Sequence, residues 1–108
     1  MAPNALPQGT LDLLILKTLA VGPNHGYAIA RSIEDVTDDA LSVEEGSLYP
    51  ALYRMQRRGW IAAEWARSDT GKDVKLYQLT PAGRAQLRKR TAEWGHLTTA
   101  VAKVLRTS

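Results

Sequence analysis

The sequence contains no cysteine. No disulfide framework, thiolate metal site or cysteine nucleophile can be built from it, and the absence fits a reducing compartment such as the cytosol. Long apolar runs are missing as well. The longest aliphatic stretch, residues 13–16, stops at Lys17, far short of the roughly 20 residues that cross a bilayer. Residues 1–9 carry no basic side chain ahead of an apolar run, so no secretory leader is expected. The two histidines, His25 and His96, lie far apart in sequence, and neither stands at a metal-ligand or triad-like spacing. Gly22-Pro23 and Gly71-Lys72 match no phosphate-cradling pattern. These gaps argue against an enzyme: no catalytic residue, metal site or cofactor is expected. Internal repeats, low-complexity tracts and interdomain linkers are absent too.

What is present fits a single domain, because 108 residues with 44% hydrophobic content bury only a modest core. The net charge of +3 is small, yet its distribution is lopsided. Residues 1–53 hold Lys17 and Arg31 against seven acidic side chains, whereas residues 54–108 hold twelve basic against four acidic. A basic second half of this kind either solvates helix faces or forms a surface for a polyanion.

Helical spacing of Leu11, Leu14, Ile15 and Leu19 predicts a first helix, capped by Thr10 and ended by Gly22-Pro23. Asn24 is read as the cap of a second helix whose inward face is Tyr27, Ile29, Ile33 and Val36. Ser42 and Glu45 have capping-box spacing and open a third helix, which Gly59 stops. Pro50 inside that helix deprives the Gly46 carbonyl of a donor, predicting a kink or a helix regular only from about Ser47. Short β-like runs at 60–65 and 74–79 flank a polar turn and read as a hairpin with a basic tip. Thr80 before Pro81 then marks the start of a last helix reaching about Arg106. Unstructured segments are expected at the first eight residues and the last two or three.

That last helix is longer than so small a core can cover. Leu87, Trp94 and Val101 recur at seven-residue spacing, with Leu97 and Val104 beside them, giving a stripe suited to a partner helix and hence a homodimer interface. The expected architecture is mainly α with a small β-hairpin: a winged helix-turn-helix over residues 1–80 and a dimerisation helix over 81–108, forming one structural unit. In such a fold the third helix enters the major groove. Its exposed side offers Ser47, Tyr49, Pro50, Tyr53, Arg54, Gln56, Arg57 and Arg58, with Glu44 and Glu45 at the leading end. Hydroxyl, amide and guanidinium donors are the groups that bond phosphates and base edges. Arg67, Lys72 and Lys75 extend the positive surface along the hairpin. Trp60 and Trp65 are read as core, and His25 as a structural residue near the second helix. Winged helices also serve as protein-interaction modules without DNA binding, so that reading stays open.

The runs Gly46-Ser47-Leu48-Tyr49-Pro50-Ala51-Leu52-Tyr53-Arg54-Met55, Leu76-Tyr77-Gln78-Leu79-Thr80-Pro81-Ala82-Gly83 and His25-Gly26-Tyr27-Ala28-Ile29 resemble the PadR family of bacterial transcriptional regulators. The resemblance runs from about Gly9 to the C-terminus and includes the proline in the third helix. It implies a cytoplasmic, nucleoid-associated homodimer of the compact subgroup with a single C-terminal helix. Such a protein represses transcription at an inverted-repeat promoter operator on double-stranded DNA. The stretch Lys72-Asp73-Val74-Lys75-Leu76 is less basic than the family pattern before the wing tyrosine. In a similar drug-responsive member, a tryptophan at the position of Trp94 stacks on flat ligands. Trp94 is therefore either a site for a small aromatic effector or an anchor of the dimer interface.

Overall fold

A computed structural model describes residues 6–108; part of the expected unstructured N-terminal segment, residues 1–5, lies outside the described residues. The chain runs α1 (Gln8–Val21), β1 (Asn24–His25), α2 (Gly26–Val36), α3 (Glu45–Arg57), β2 (Ile61–Arg67), β3 (Asp73–Leu79) and α4 (Pro81–Leu105). The sheet is antiparallel with strand order β1-β3-β2. It therefore has three strands where a two-stranded hairpin is expected: Asn24 and His25 pair with Tyr77 and Leu76. A pair of residues is too short to leave a periodic signature, and Asn24 consequently does not cap α2. Its Oδ1 instead accepts from the His25 N–H at 3.0 Å.

Two further boundaries differ from the sequence reading. The Leu11 N–H donates to the Pro7 carbonyl at 3.0 Å, so α1 begins at Gln8 and Thr10 sits within it instead of capping it. Ser42 and Glu45 form no capping box, because the turn before α3 is held from α2: Glu34 Oε2 accepts from the Val43 N–H at 3.1 Å, and Thr37 Oγ1 from the Leu41 N–H at 3.2 Å. Helix α3 is continuous across Pro50. Gly46, whose carbonyl lacks a donor, is exposed, so water can satisfy it. At the far end Gly59 adopts φ +78°, the Trp60 N–H reaches the Met55 carbonyl, and the Gly59 N–H reaches the Gln56 carbonyl. This is a Schellman stop that requires the left-handed residue.

Ile15, Leu16, Leu19, Ile29, Leu48, Leu52, Met55 and Ile61 form the fully buried centre where α1, α2 and α3 meet the sheet. Tyr27 and Val36 do not join it. Tyr27 lies two residues, or about 200°, from Ile29 around the helix, and Val36 closes the last turn beyond the core, so both are exposed. Thr80 fixes the start of α4 as expected: Oγ1 accepts from the Gly83 N–H at 3.0 Å, and the Thr80 N–H donates to the Trp60 carbonyl at 3.1 Å. Leu87 packs against the core, while every residue from Thr91 onward is exposed. No helix among the described residues is long and apolar enough to cross a membrane.

Candidate nucleic-acid interface

The third helix buries Leu48, Ala51, Leu52 and Met55 and leaves Ser47, Tyr49, Pro50, Tyr53 and Arg57 exposed. The i, i+3 and i+4 spacing of the exposed set places these residues on one outward surface. The Arg57 guanidinium lies 5.8 Å from the centroid of the Tyr53 ring, which restricts two long side chains at the helix surface before any ligand arrives.

Tyr49 is positioned by a glycine. A Cβ built on Gly26 would lie 2.8 Å from Tyr49 Cε1, so the ring rests directly on the first residue of α2. This gives the His25-Gly26-Tyr27 segment a physical reason for its glycine that spacing alone does not reveal. Tyr77, buried beneath the same region, has its phenol pushed above the usual tyrosine range by burial and, secondarily, by Tyr49.

Arg54 lies elsewhere than expected. Instead of projecting freely, its Nη2 donates to Asp12 Oδ1 of α1 at 2.5 Å. The Gln8 amide, turned so that its oxygen faces the guanidinium, accepts from Nε at 3.1 Å and Nη1 at 3.3 Å. The Asp12 side chain is 3% exposed and that of Arg54 25%. Asp12 is the one buried charged residue among the described residues; nothing in an apolar helix pattern announces it.

On the hairpin, the register Trp65↔Lys75 and Arg67↔Asp73 sets Trp65, Arg67 and Lys75 on the sheet face that carries Ile61 and Tyr77 toward the core. The core ends at Tyr77. Trp65 therefore projects past it, 71% exposed, which corrects its reading as a core residue. Lys75 lies over the Tyr77 ring at 5.6 Å. Arg67 and Lys72 are exposed, although Asp73 stands 3.8 Å from Arg67 and offsets part of its charge. Gly71, at φ +80°, closes the tip, with the Ser68 hydroxyl accepting from the Lys72 N–H at 3.1 Å. Trp60 is half-buried, and the guanidinium groups of Arg58 and Arg90 lie over its ring at 5.1 and 5.0 Å.

A second feature lies between α1 and α4. Pro7, Gly9, Thr10 and Leu13 face Arg90, Glu93, Trp94 and Leu97 across a cleft of about 260 Å³. Trp94, Leu97, Val101 and Val104 are exposed large hydrophobic residues on the free portion of α4, and Leu105 joins them. Leu87 is separate from this set, being packed on the core. Among the described residues no group of three or more His, Asp or Glu side chains is placed to hold a metal ion.

These features coincide with a known family. The pattern of the Transcriptional regulator PadR-like family matches residues 15–89, which span α1 from Ile15, both wing strands and the start of α4. A transcriptional regulator of Mycobacterium tuberculosis is 31% identical over 80 residues, covering 74% of this chain and 71% of that protein. The structure of a PadR family transcriptional regulator from Eggerthella lenta is similar at a TM-score of 0.80 with 35% identity, over 94% of this chain and 86% of the other. A PadR-like transcriptional regulator from Bacillus cereus gives a TM-score of 0.80 with 30% identity, over 94% and 96% of the two chains. With its winged helix, its tyrosine-bearing third helix and its single terminal helix, the chain belongs to the PadR-like family of transcriptional regulators.

Proposed function

We propose that this regulator acts as a homodimeric repressor that binds an inverted-repeat operator in promoter DNA. The observation that carries the reading is the outward surface of α3, where Ser47, Tyr49, Pro50, Tyr53 and Arg57 lie exposed on a helix anchored by Leu48, Leu52 and Met55. Arg57 and the tyrosine hydroxyls supply donors for base edges and phosphates. Arg67, Lys72 and Lys75 on the wing follow the backbone, and Trp65 adds a flat apolar surface against the sugars. The dimer forms through Trp94, Leu97, Val101 and Val104 of α4, with Leu87 at the root of the stripe; a two-fold pair of recognition helices then matches a palindromic site. The cleft beside Trp94 accepts a small planar aromatic effector that relieves repression. The protein works in the cytoplasm, associated with the nucleoid.

The test is an anisotropy titration against the DNA upstream of the chain's own gene, at two salt concentrations and with unrelated DNA as competitor. Affinity falls steeply with salt if phosphates are contacted. Arg57→Ala weakens binding by about 1–3 kcal/mol if Arg57 reads a base. Salt-insensitive binding, equal in wild type and variant, would point instead to a protein-interaction module.

A further inference from the structure

The hydrophobic effect that holds a helix against a core is itself non-directional, and the helix's orientation is set by the shapes and polar contacts at the seam. The recognition helix is anchored by Leu48, Ala51, Leu52 and Met55, all aliphatic or thioether side chains. Arg54 stands on the seam between that buried face and the outward one: Pro50 lies four residues before it and Arg57 three after, on the neighbouring rows of the helix. At this seam the guanidinium donates to Asp12, and the Gln8 amide oxygen receives two further N–H groups of the same fork. Charge-assisted bonds from a planar fork are directional as well as strong. They therefore add a directional restraint on rolling and sliding to the one that core packing supplies.

We infer that Asp12 and Arg54 are a positioning pair for DNA reading, setting the rotation of α3 against α1, and that Arg54 is not itself a phosphate contact. The inference rests on the DNA-binding reading above and deepens it. Stability alone is a poor reason for such a pair. Taking two charges out of water offsets most of their mutual attraction, and well-packed apolar replacements of a buried pair are often neutral or stabilising. Geometry is a better reason, since recognition groups tolerate only about 10–20° of misorientation. The placement of α1 sharpens the point. In its first two turns Gln8 and Asp12 face α3, whereas Gly9, Thr10 and Leu13 face the Trp94 cleft. One short stretch of helix thus borders both the recognition helix and the middle of α4.

The test begins by selecting a preferred duplex from a random pool with the wild-type protein. Failure to select any sequence would sink the DNA-binding reading itself. With a selected duplex in hand, Asp12→Asn, Arg54→Met and the double variant Asp12→Leu/Arg54→Met are titrated by fluorescence anisotropy over a salt series, with thermal unfolding measured alongside. Positioning predicts that each single variant binds the selected duplex at least about ten-fold more weakly with the salt slope unchanged. It also predicts that the double variant regains thermal stability relative to the singles but not affinity. A double variant that binds like wild type would reduce the pair to a structural contact and overturn the inference. So would unchanged or tighter binding by Asp12→Asn together with a salt slope lowered by about one in Arg54→Met, the mark of a lost phosphate contact. Should the apolar double variant not fold, Arg54→Lys decides: it keeps a cation beside Asp12 but loses the fork. Positioning predicts reduced discrimination between selected and scrambled duplexes with non-specific binding unchanged; undiminished discrimination overturns it.

Discussion

The contact between Gly26 and Tyr49 joins the second and third helices at a point where one methyl group does not fit. The Tyr49 ring is partly exposed, so in Gly26→Ala the ring moves while the core stays intact. The expected outcome is a modest loss of stability, about 1–2 kcal/mol, and a larger proportional loss of DNA affinity, read by thermal unfolding and anisotropy on the same preparation. Tyr77 gives a pH signature. Its folded pKa is raised by burial and by Tyr49, so the folded state keeps the phenolic proton longer than the unfolded chain does. That contribution is fully present below about pH 10 and is lost as pH rises through the elevated folded value. Thermal unfolding should show stability declining above about pH 10 in wild type and declining less in Tyr77→Phe. At this scale the sequence was only partly legible. Thr80 and Gly59 act on their immediate neighbours, so local spacing exposes them. Asp12 and Gly26 act on Arg54 and Tyr49, 42 and 23 positions away, and no window along the chain contains both members of either pair.

At the level of elements, the junction between the wing and α4 leaves no room for a side chain at Gly83. A Cβ on Gly83 would sit 2.0 Å from the Trp60 carbonyl oxygen and 2.7 Å from Leu79 Cδ1. The first of these is backbone and cannot swing aside. Thr80 holds the same place through the Gly83 N–H, and its hydroxyl donates toward the Gly59 or Trp60 carbonyl at 2.6 or 2.9 Å. Gly83→Ala therefore forces α4 away from the sheet, with an expected loss of more than about 3 kcal/mol in denaturant unfolding. Helices α1, α3 and α4 and both wing strands were readable because apolar periodicity and turn residues agree there, joined at α4 by the Thr80 cap. The short β1 was not, having only two residues. Trp65 was misread for a related reason: strand alternation does place it on the core face, but only the fold reveals that the core ends at Tyr77, one pair of ladder positions earlier.

The whole molecule is elongated, 60 × 35 × 21 Å, with a radius of gyration of 15.4 Å, against about 13 Å for a compact domain of roughly 100 residues. The excess is α4, whose residues from Thr91 onward project with Trp94, Leu97, Val101 and Val104 uncovered. A stripe of this kind at helix spacing is a partner surface in waiting. Val101→Glu places a carboxylate in the middle of the stripe, far from α3. Sedimentation equilibrium should show that variant shifted to monomer at concentrations where wild type is dimeric. Its circular dichroism should be little changed, and its binding to an inverted repeat should be lost along with the dimer.

The central claim, that two chains joined through α4 present two recognition helices to one duplex, is tested most directly by the native mass of the complex with the selected inverted repeat. The account predicts two chains per duplex, dissociating cooperatively as salt is raised. A complex with one chain per duplex, or free protein beside free DNA at low salt, would contradict it.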